Sequence, residues 1–405
     1  MKLNEIWLIA VTAGKWQSNG IREARGAGLK VLALDADPNA EGFKDANLFL
    51  NIDLNNYDTV IREILALDIN IHGVVSFASE AGVLLAAHIR EYFNLPGPKL
   101  NLCKRLVNKE LQRKLWSESG VPGPRWTVIK EGVEVNALRA EFDFPIIIKP
   151  TDSSGSRGVT KIESDCDDLP GAIKLAFKYS GSGTVIVEEF MVGTEFTVET
   201  FAHEGKTHVL AITEKKKVDG TRGTVAYELA TSDRSPEIKL RIVEAVTAAF
   251  HALEYVEGPG HAEIILKNDE SVGLVEVAGR GGGFMVFDGL VPTVSGVNVA
   301  LLTALQAVGL PIGEIIKSEK SAVLRFVPSK PGILICISGF EQANLICGIK
   351  AETFAKVGNR YYQASVDGDR FGYILSCAET APEAQKLADQ AEQLITFEMK
   401  DEIDY

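Results

Sequence analysis

The chain has 405 residues, of which 46% are hydrophobic and 24% charged, and its formal net charge is −13. Such a length and composition are ordinary for a globular protein of two or three domains with large buried cores. The acidic balance argues against a nucleic-acid surface, which needs a basic face, but leaves room for a local basic pocket that binds a nucleotide. Five cysteines with no C-x-x-C pair indicate a reducing compartment and buried thiols. The N-terminus lacks a signal-peptide layout, so we expect a cytoplasmic protein.

One uncharged stretch, residues 289–313, is long enough to cross a bilayer. Pro292 and Pro311 interrupt it, together with Ser295, Gly296 and Asn298. The remaining helical part is about residues 297–308. We therefore predict a buried helix of a soluble domain and no membrane interaction.

The first hundred residues alternate strand and helix patterns. Strands are predicted at 6–11, 31–34 and 73–76, and helices at 19–27, 57–67 and 80–93. This alternation predicts a parallel sheet covered on both faces, with ligands beyond the carboxyl ends of its strands. A Pro/Gly-rich break at 95–98 is followed by two short helices.

Beyond residue 126 the pattern changes to strands separated by loops and a few helices. Predicted strands are 146–150, 159–162, 185–190, 196–201, 261–267, 272–277, 322–327, 332–338 and 372–376; predicted helices are 168–179, 236–253 and 382–396. The turn at 268–270 joins two of these strands as a hairpin.

A serine- and glycine-rich loop is the first candidate for binding phosphate. The G-x-x-x-x-G-K-[ST] and G-x-G-x-x-G motifs are both missing. The loop consists of Ser153, Ser154, Gly155, Ser156, Arg157 and Gly158. Its glycines let backbone N–H groups approach a phosphate, and Lys149 just upstream can neutralise it. The alternative is an ordinary hairpin loop.

Two acids in apolar strands form the second candidate. Glu263 and Glu276 lie in stretches whose other residues are apolar, as is typical of core strands. Carboxylates there are costly unless they are paired or bind a cation, and a hairpin would direct both toward one magnesium ion. The alternative is one acid on a solvent face and the other in a salt bridge.

Two weaker features accompany these acids. Arg280, four residues after Glu276 and flanked by glycines, suits charge stabilisation in phosphoryl transfer; an ordinary ion pair is the alternative. The strand end Glu188, Glu189, Phe190 and Met191, with Glu195 beyond it, could hold an adenine edge and ribose hydroxyls.

In this order, these residues resemble the ATP-grasp superfamily. Residues 14–17, 35–40, 77–80 and 108–122 resemble the domain that precedes this fold in carbamoyl-phosphate-synthetase-like ligases, and the tail 369–373 is similar to L-amino-acid ligases. The resemblance implies an α/β (α+β) chain. Its predicted units are an N-terminal parallel α/β domain (1–98), linker helices with a small lid subdomain (99–185), a large subdomain with the metal and catalytic site (186–313), and a C-terminal α+β subdomain (314–405).

The resemblance also implies roles. The residues implied to bind ATP are Lys109, Lys149, Ser153, Ser154, Gly155, Ser156, Gly158, Glu188, Glu189, Phe190, Met191 and Glu195. Glu263 and Glu276 would hold Mg²⁺, with Mn²⁺ as the alternative ion. Arg280, Lys149 and Ser156 would be catalytic, and Glu80, Gly282, Gly283 and Arg325 would contact substrate. Many members have Asn two residues after the second acid, where this chain has Ala278, so either no second ion binds or another oxygen, such as that of water, takes the place of Asn.

The implied reaction is ATP-dependent ligation. A carboxylate becomes an acyl phosphate, and an amine then attacks it to give an amide or dipeptide, ADP and phosphate. An amino acid is the first choice of substrate, and Arg325 could pair with its carboxylate or form a structural ion pair. The alternatives are a bicarbonate- or formate-using ligase of the same superfamily and a non-catalytic ATP sensor. The expected partners are small molecules, with a homodimer as the expected assembly.

Overall fold

A parallel sheet opens the chain. The computed structural model describes residues 3–132, 138, 141–164, 167–218 and 225–400. The first sheet has the strand order β3-β2-β1-β4. Its elements are β1 (Trp7–Val11), α1 (Lys15–Gly26), β2 (Lys30–Asp35), β3 (Leu48–Asn51), α2 (Tyr57–Ala66), β4 (Ile71–Val75) and α3 (Val83–Tyr92).

Alternate residues of β1 enter two different cores. Leu8 packs in a core with α1, while Ile9 packs in another with α2 and α3. This period-two pattern confirms the predicted sheet with both faces covered. Helix α1 begins at Lys15, four residues earlier than predicted.

Two linker helices follow, α4 (Leu100–Val107) and α5 (Lys109–Glu118). The Asn108 side chain accepts a hydrogen bond from the Leu111 N–H and so caps α5. Trp116 of α5 is buried and donates to the Ala249 carbonyl. The linker is thus anchored on the part of the chain that carries the predicted acids.

A small antiparallel sheet has the order β5-β8-β6-β7. Its elements are β5 (Trp126–Lys130), β6 (Ile146–Pro150), β7 (Thr160–Ile162), α6 (Leu169–Tyr179) and β8 (Thr184–Glu189). The serine–glycine loop joins β6 to β7. Gly158 has φ +75°, and a Cβ there would lie 3.0 Å from Pro150 and Tyr179, so a side chain fits poorly.

The largest sheet has eight strands in the order β13-β12-β9-β10-β11-β14-β18-β16. Its strands and the helices between them are β9 (Gly193–His203), β10 (Lys206–Lys217), β11 (Ala226–Thr231), α7 (Pro236–Ala252), β12 (Gly258–Lys267), β13 (Val272–Ala278), α8 (Val291–Ser295), α9 (Val299–Ala307), β14 (Ser321–Pro328), β16 (Ile349–Thr353) and β18 (Arg370–Ala378). The predicted hairpin is β12–β13. The sheet also runs past residue 313, where we predict a domain boundary.

The C-terminal residues complete the structure with a three-stranded sheet of order β17-β15-β19. The remaining elements are β15 (Gly332–Ser338), α10 (Phe340–Asn344), β17 (Arg360–Tyr361), α11 (Ala381–Leu394) and β19 (Thr396–Lys400). The expectation of buried thiols holds for Cys103 but is wrong for Cys347, which is exposed. Cys166 lies outside the described residues.

The uncharged stretch folds as short helices. α9 lies within the core shared by β1 and β14, which explains its lack of charge. Within the described ranges, no single helix has the length and apolarity to cross a membrane. One pair of segments, Val286–Ser295 and Val299–Ala307, meets those criteria only when joined, and it is bent by 112°.

Candidate active site

Two carboxylates lie opposite each other on the β12–β13 hairpin. Glu263 and Glu276 are direct register partners, so their side chains share one face of the large sheet. Burial alone would raise the pKa of both carboxyls. The charge of Lys215 holds the pKa of Glu263 well below its usual value, and that of Lys109 lowers the pKa of Glu276. Both groups are therefore ionised at neutral pH, next to each other.

Lys109 joins the second acid to the serine–glycine loop. Its Nζ lies 3.0 Å from Glu276 Oε2 and donates to the Ser153 carbonyl at 2.8 Å. The Lys109 backbone N–H donates to the carbonyl of Thr151. Burial would lower the pKa of Lys109, but the charges of Glu276 and Glu80 raise it. This buried ammonium ion therefore sits between the loop and the acids.

A second buried lysine belongs to a triad beneath the small sheet. Lys149 Nζ and Arg113 Nε both lie 2.8 Å from the Glu188 carboxylate. Burial, with the charges of Arg113 and Lys109, outweighs Glu188 and lowers the pKa of Lys149. Despite burial, the two cations hold the pKa of Glu188 below its ordinary value. The triad therefore carries two positive charges for one negative charge, which suits an anionic ligand.

The first acid belongs to a separate network of charges. Lys215 Nζ lies 2.8 Å from Glu263 Oε1 and 2.8 Å from Glu195 Oε1. His261 Nε2 lies 3.8 Å from Glu263 Oε1, and His261 Nδ1 is bonded to Glu199. Although burial would lower it, the charge of Glu199 raises the pKa of His261 to about 9. The imidazolium thus bridges two carboxylates.

Arg280 lies where the N-terminal unit meets the large sheet. Its guanidinium is 3.2 Å from Glu80 Oε2 and donates to the Gly281 carbonyl. The Gly281 N–H donates to the Phe77 carbonyl. A Cβ on Gly281 would lie 1.9 Å from the Phe287 ring, so only glycine fits this approach. Sequence reasoning placed Arg280 and Glu80 in one site, and the structure places them in contact.

The glycine run ends in strained backbone. The Gly282 N–H donates to Glu199. Phe284 and Met285 have φ of +51° and +68°, a conformation unusual for bulky residues. Such strain persists only where the surroundings impose it, and it is concentrated at functional sites.

Other residues predicted from the sequence are placed less directly. Glu195 is already paired with Lys215 and Lys217. The Phe190 ring lies 3.9 Å from Lys161 Nζ, and Met191 packs against Gly273. Arg325 contacts Glu228, Asp389 and Glu392. Its guanidinium therefore forms structural ion pairs, which is the alternative to a substrate contact. The predicted residues still without a stated position are half-buried or exposed: Ser154, Gly155 and Ser156 in the loop, Glu189 at the end of β8, and Gly283 after Gly282.

Sequence reasoning missed four charged members of the site: Arg113, Glu199, Lys215 and His261. Glu199 and Lys215 could have been found, since each is a charged residue within a strand whose neighbouring side chains face inward. His261 precedes Glu263 by two residues and therefore shares its face of β12. Arg113 gave no such signal, because it looks like a surface residue on an amphipathic helix.

Comparisons with known proteins agree with this arrangement. The ATP-grasp domain family matches residues 142–288, and the family described as L-amino acid ligase C-terminal domain 2 matches residues 325–400. Residues 142–288 therefore carry an ATP-grasp domain. The first match contains Lys149, both acids and Arg280, and the second covers the C-terminal strands. The expectation from the sequence of an ATP-grasp enzyme that joins carbon to nitrogen is confirmed.

Individual relatives extend the match beyond those two domains. A D-alanine–D-alanine ligase of Bordetella avium is 24% identical, over 70% of this chain and 89% of its own. A formate-dependent phosphoribosylglycinamide formyltransferase of Hahella chejuensis is 26% identical, over 93% of this chain and 91% of its own. The crystal structure of an L-amino acid ligase from Bacillus licheniformis superposes with a TM-score of 0.83 at 22% identity, covering 99% of this chain and 100% of that one. At this identity the superposition establishes the fold.

Proposed function

We propose that this ATP-grasp ligase activates the carboxylate of an amino acid or other small acid as an acyl phosphate. An amine then attacks the acyl carbon, so that an amide or dipeptide forms and phosphate leaves. The observation that carries the proposal is the pair of ionised carboxylates, Glu263 and Glu276, facing each other beside buried cations. Two like charges at one place need a cation between them or on each of them.

The donor set fits magnesium. Mg²⁺ is usually held by one or two carboxylates together with substrate phosphates and water. No cluster of three or more His, Cys, Asp or Glu side chains with metal-binding potential occurs in the described part of the chain, so two carboxylates match this mode. Glu263 and Glu276 would hold the ion, which when bound supplies charge neutralisation for the triphosphate. The side chain of Ala278 provides no oxygen ligand, so we propose one ion held by side chains.

The surrounding residues would bind ATP. Lys109 and Lys149 neutralise phosphates, and the loop Ser153–Gly158 covers them with backbone N–H groups. The end of β8, Glu188–Met191, borders the adenine through its backbone, while Glu195 accepts from ribose hydroxyls. Glu195 must then exchange Lys217 or Lys215 for the sugar.

Arg280 would act on the reacting groups. Its guanidinium stabilises negative charge on the transferred phosphoryl group and on the tetrahedral adduct. Glu80 orients it, and the backbone of Gly282 and Gly283 lines the acyl phosphate. The N-terminal unit closes this side of the site through the Gly281–Phe77 hydrogen bond, which keeps water from the mixed anhydride.

ADP release tests the proposal. The protein with MgATP is offered the twenty amino acids singly and in pairs, and formate or bicarbonate with the same amines. We expect ADP and phosphate in equal amounts, with an amide product seen by mass spectrometry. Turnover that occurs only when formate or bicarbonate is the acid would assign the chain to the chemistry of its formyltransferase-like relative. ATP binding without ADP release from any mixture would identify a sensor.

Substitution of Arg280 tests its assigned role. Arg280→Ala should lower kcat by at least about 10²–10³-fold, because charge stabilisation in the transition state is lost. Nucleotide affinity, measured by calorimetry, should stay near that of the parent protein. Arg241→Ala, which removes an exposed arginine paired with Glu270, is the matched control. Loss of nucleotide binding in Arg280→Ala alone would show that this arginine binds ATP instead.

A further inference from the structure

A buried arginine of the C-terminal region lacks acceptors for part of its charge. Arg370, the first residue of β18, is 8% exposed. Its Nη2 donates to Asp367 Oδ1 and to the Ala226 carbonyl. Within the described ranges nothing accepts from Nε or Nη1. Buried donors without partners are costly, more so on a charged group, and each needs an explanation.

Two aromatic rings fix the orientation of this guanidinium. Its central carbon lies 3.6 Å from the Phe326 ring centroid and 4.4 Å from that of Phe284. Aromatic packing of this kind holds the planar group in place and adds cation–π attraction. The group is therefore rigid, and its Nε and Nη1 donors remain unused.

The location of Arg370 links it to the proposed active site. Phe284 directly follows the glycine run that we assign to the acyl phosphate, and it has positive φ. Trp16, from the N-terminal unit, packs on Phe284 with ring centroids 5.2 Å apart. Three parts of the chain thus meet beside the glycine run, with Arg370 among them.

The charge balance favours an anionic ligand. Burial lowers the pKa of Arg370 to about 10, partly offset by Asp367, so the group is still a cation at neutral pH. Asp367 also accepts from the Ala226 N–H, so its negative charge is shared. A carboxylate suits such a cation, because hydrogen bonds between an arginine N–H and an ionised oxygen are among the strong ones.

We propose that Arg370 binds the free carboxylate of the amine substrate, which selects an α-amino acid over a simple amine. This inference rests on the proposed ligase function and deepens it. The carboxylate to be activated belongs beside Arg280 and the paired acids, whereas Arg370 contacts Phe284, the residue that follows the glycine run. Two carboxylates would therefore be handled by two arginines.

The first test needs no variant. With the acyl donor held at saturation, each amino acid that serves as amine substrate is compared with its carboxamide and its methyl ester. We expect kcat/KM for the acid to exceed that for the amide by about 10- to 100-fold, because hydrogen bonds to charged groups have this weight. Equal use of acid and amide would overturn the inference while leaving the ligase function intact.

Substitution of Arg370 identifies the group responsible. Arg370→Met should raise KM for the acid by a similar factor and leave KM for the amide unchanged. Arg370→Lys, which keeps the charge without the fork, should recover part of the loss. Arg105→Met, which removes a surface arginine paired with Glu254, is the control. If kcat/KM falls by the same factor for the acid and for the amide, the role of Arg370 is structural.

A binding arm separates failure of this inference from failure of the ligase function. Calorimetry with ADP and Mg²⁺ present measures binding of the same amino acids and amides to the parent protein and to Arg370→Met. Binding of acids that is lost in the variant supports the inference even if turnover is never found. Absence of binding by any of the twenty acids would overturn it.

Discussion

Two buried arginines on neighbouring strands of the large sheet have opposite surroundings. Arg325 on β14 contacts three carboxylates, those of Glu228, Asp389 and Glu392, and these outweigh burial and raise its pKa. Arg370 on β18 has one carboxylate, and burial lowers its pKa to about 10. A cation with all its charge compensated holds elements together. A cation that lacks counter-charge is better suited to receive an anion.

The comparison bears on the two alternatives that the sequence leaves open for Arg325, a substrate contact and a structural ion pair. An arginine inside an apolar strand predicts a functional cation, and Arg325 meets that description. Two of its partners, Asp389 and Glu392, lie on α11, 64 and 67 residues further along the chain, so the sequence does not reveal them. Arg370 follows an Asp-rich turn and resembles a surface residue, yet the fold places it against Phe284 and Phe326.

The largest expected effect is on stability, at Arg325. Arg325→Met should lower the free energy of unfolding by about 3–5 kcal/mol, since removal of one partner leaves the buried Glu228 carboxylate short of counter-charge. Arg370→Met should change it much less, because the lost cation was itself poorly compensated. Urea unfolding of both variants measures the difference.

A double variant shows whether charge is the cause. Arg325→Met with Glu228→Gln removes the cation and its most buried partner, and should recover a large part of the loss. Equal destabilisation by Arg325→Met and Arg370→Met would remove the distinction between the two arginines. Loss of stability in Arg370→Met but not in Arg325→Met would reverse the roles assigned to the two arginines.

Asp288, a half-buried acid four residues after Phe284, offers a second way to test how a buried group behaves when it lacks counter-charge. Asp288 lies in the π-helical segment Val286–Leu290, and burial raises its pKa to about 6 from 3.8. A carboxyl with a raised pKa in the folded protein holds its proton more tightly than in the unfolded chain. Its contribution to stability is therefore favourable below about pH 4 and is lost as the pH rises through 6.

Asp288→Asn should thus be more stable than the parent protein at pH 8 by about 2–3 kcal/mol, and equal to it near pH 4. Thermal unfolding across this range, compared between the two proteins, measures the effect. Glu341→Gln, which removes an acid from the distant helix α10, should show no such pH-dependent gain. A gain that persists at pH 4 would point to packing rather than charge.

The sequence predicted the architecture better than the charge pairing. Alternation in β1 and the β12–β13 turn determine strands locally, and the opposition of Glu263 and Glu276 follows from a short hairpin. Glu199 and Lys215 join the site through strands far apart in the chain, so their contacts with His261 and Glu263 depend on sheet order. Helix α1 begins earlier than predicted because the chain enters the helix directly after Gly14, at the end of the turn that follows β1.

The smallest expected effect concerns a charge at the same three-way junction that faces solvent. Lys15 Nζ lies 2.7 Å from Glu352 Oε1, with the two side chains 34% and 47% exposed, and 3.8 Å from the Phe354 ring centroid. Water competes for both charges, so Lys15→Met should cost less than about 1 kcal/mol, and less still in high salt. Unfolding at low and high ionic strength, with Glu352→Gln as the matched variant, measures this. A salt-insensitive loss well above that value would mean that Lys15 is part of a closed cluster like that of Arg325, and that exposure at this junction does not weaken a charge pair.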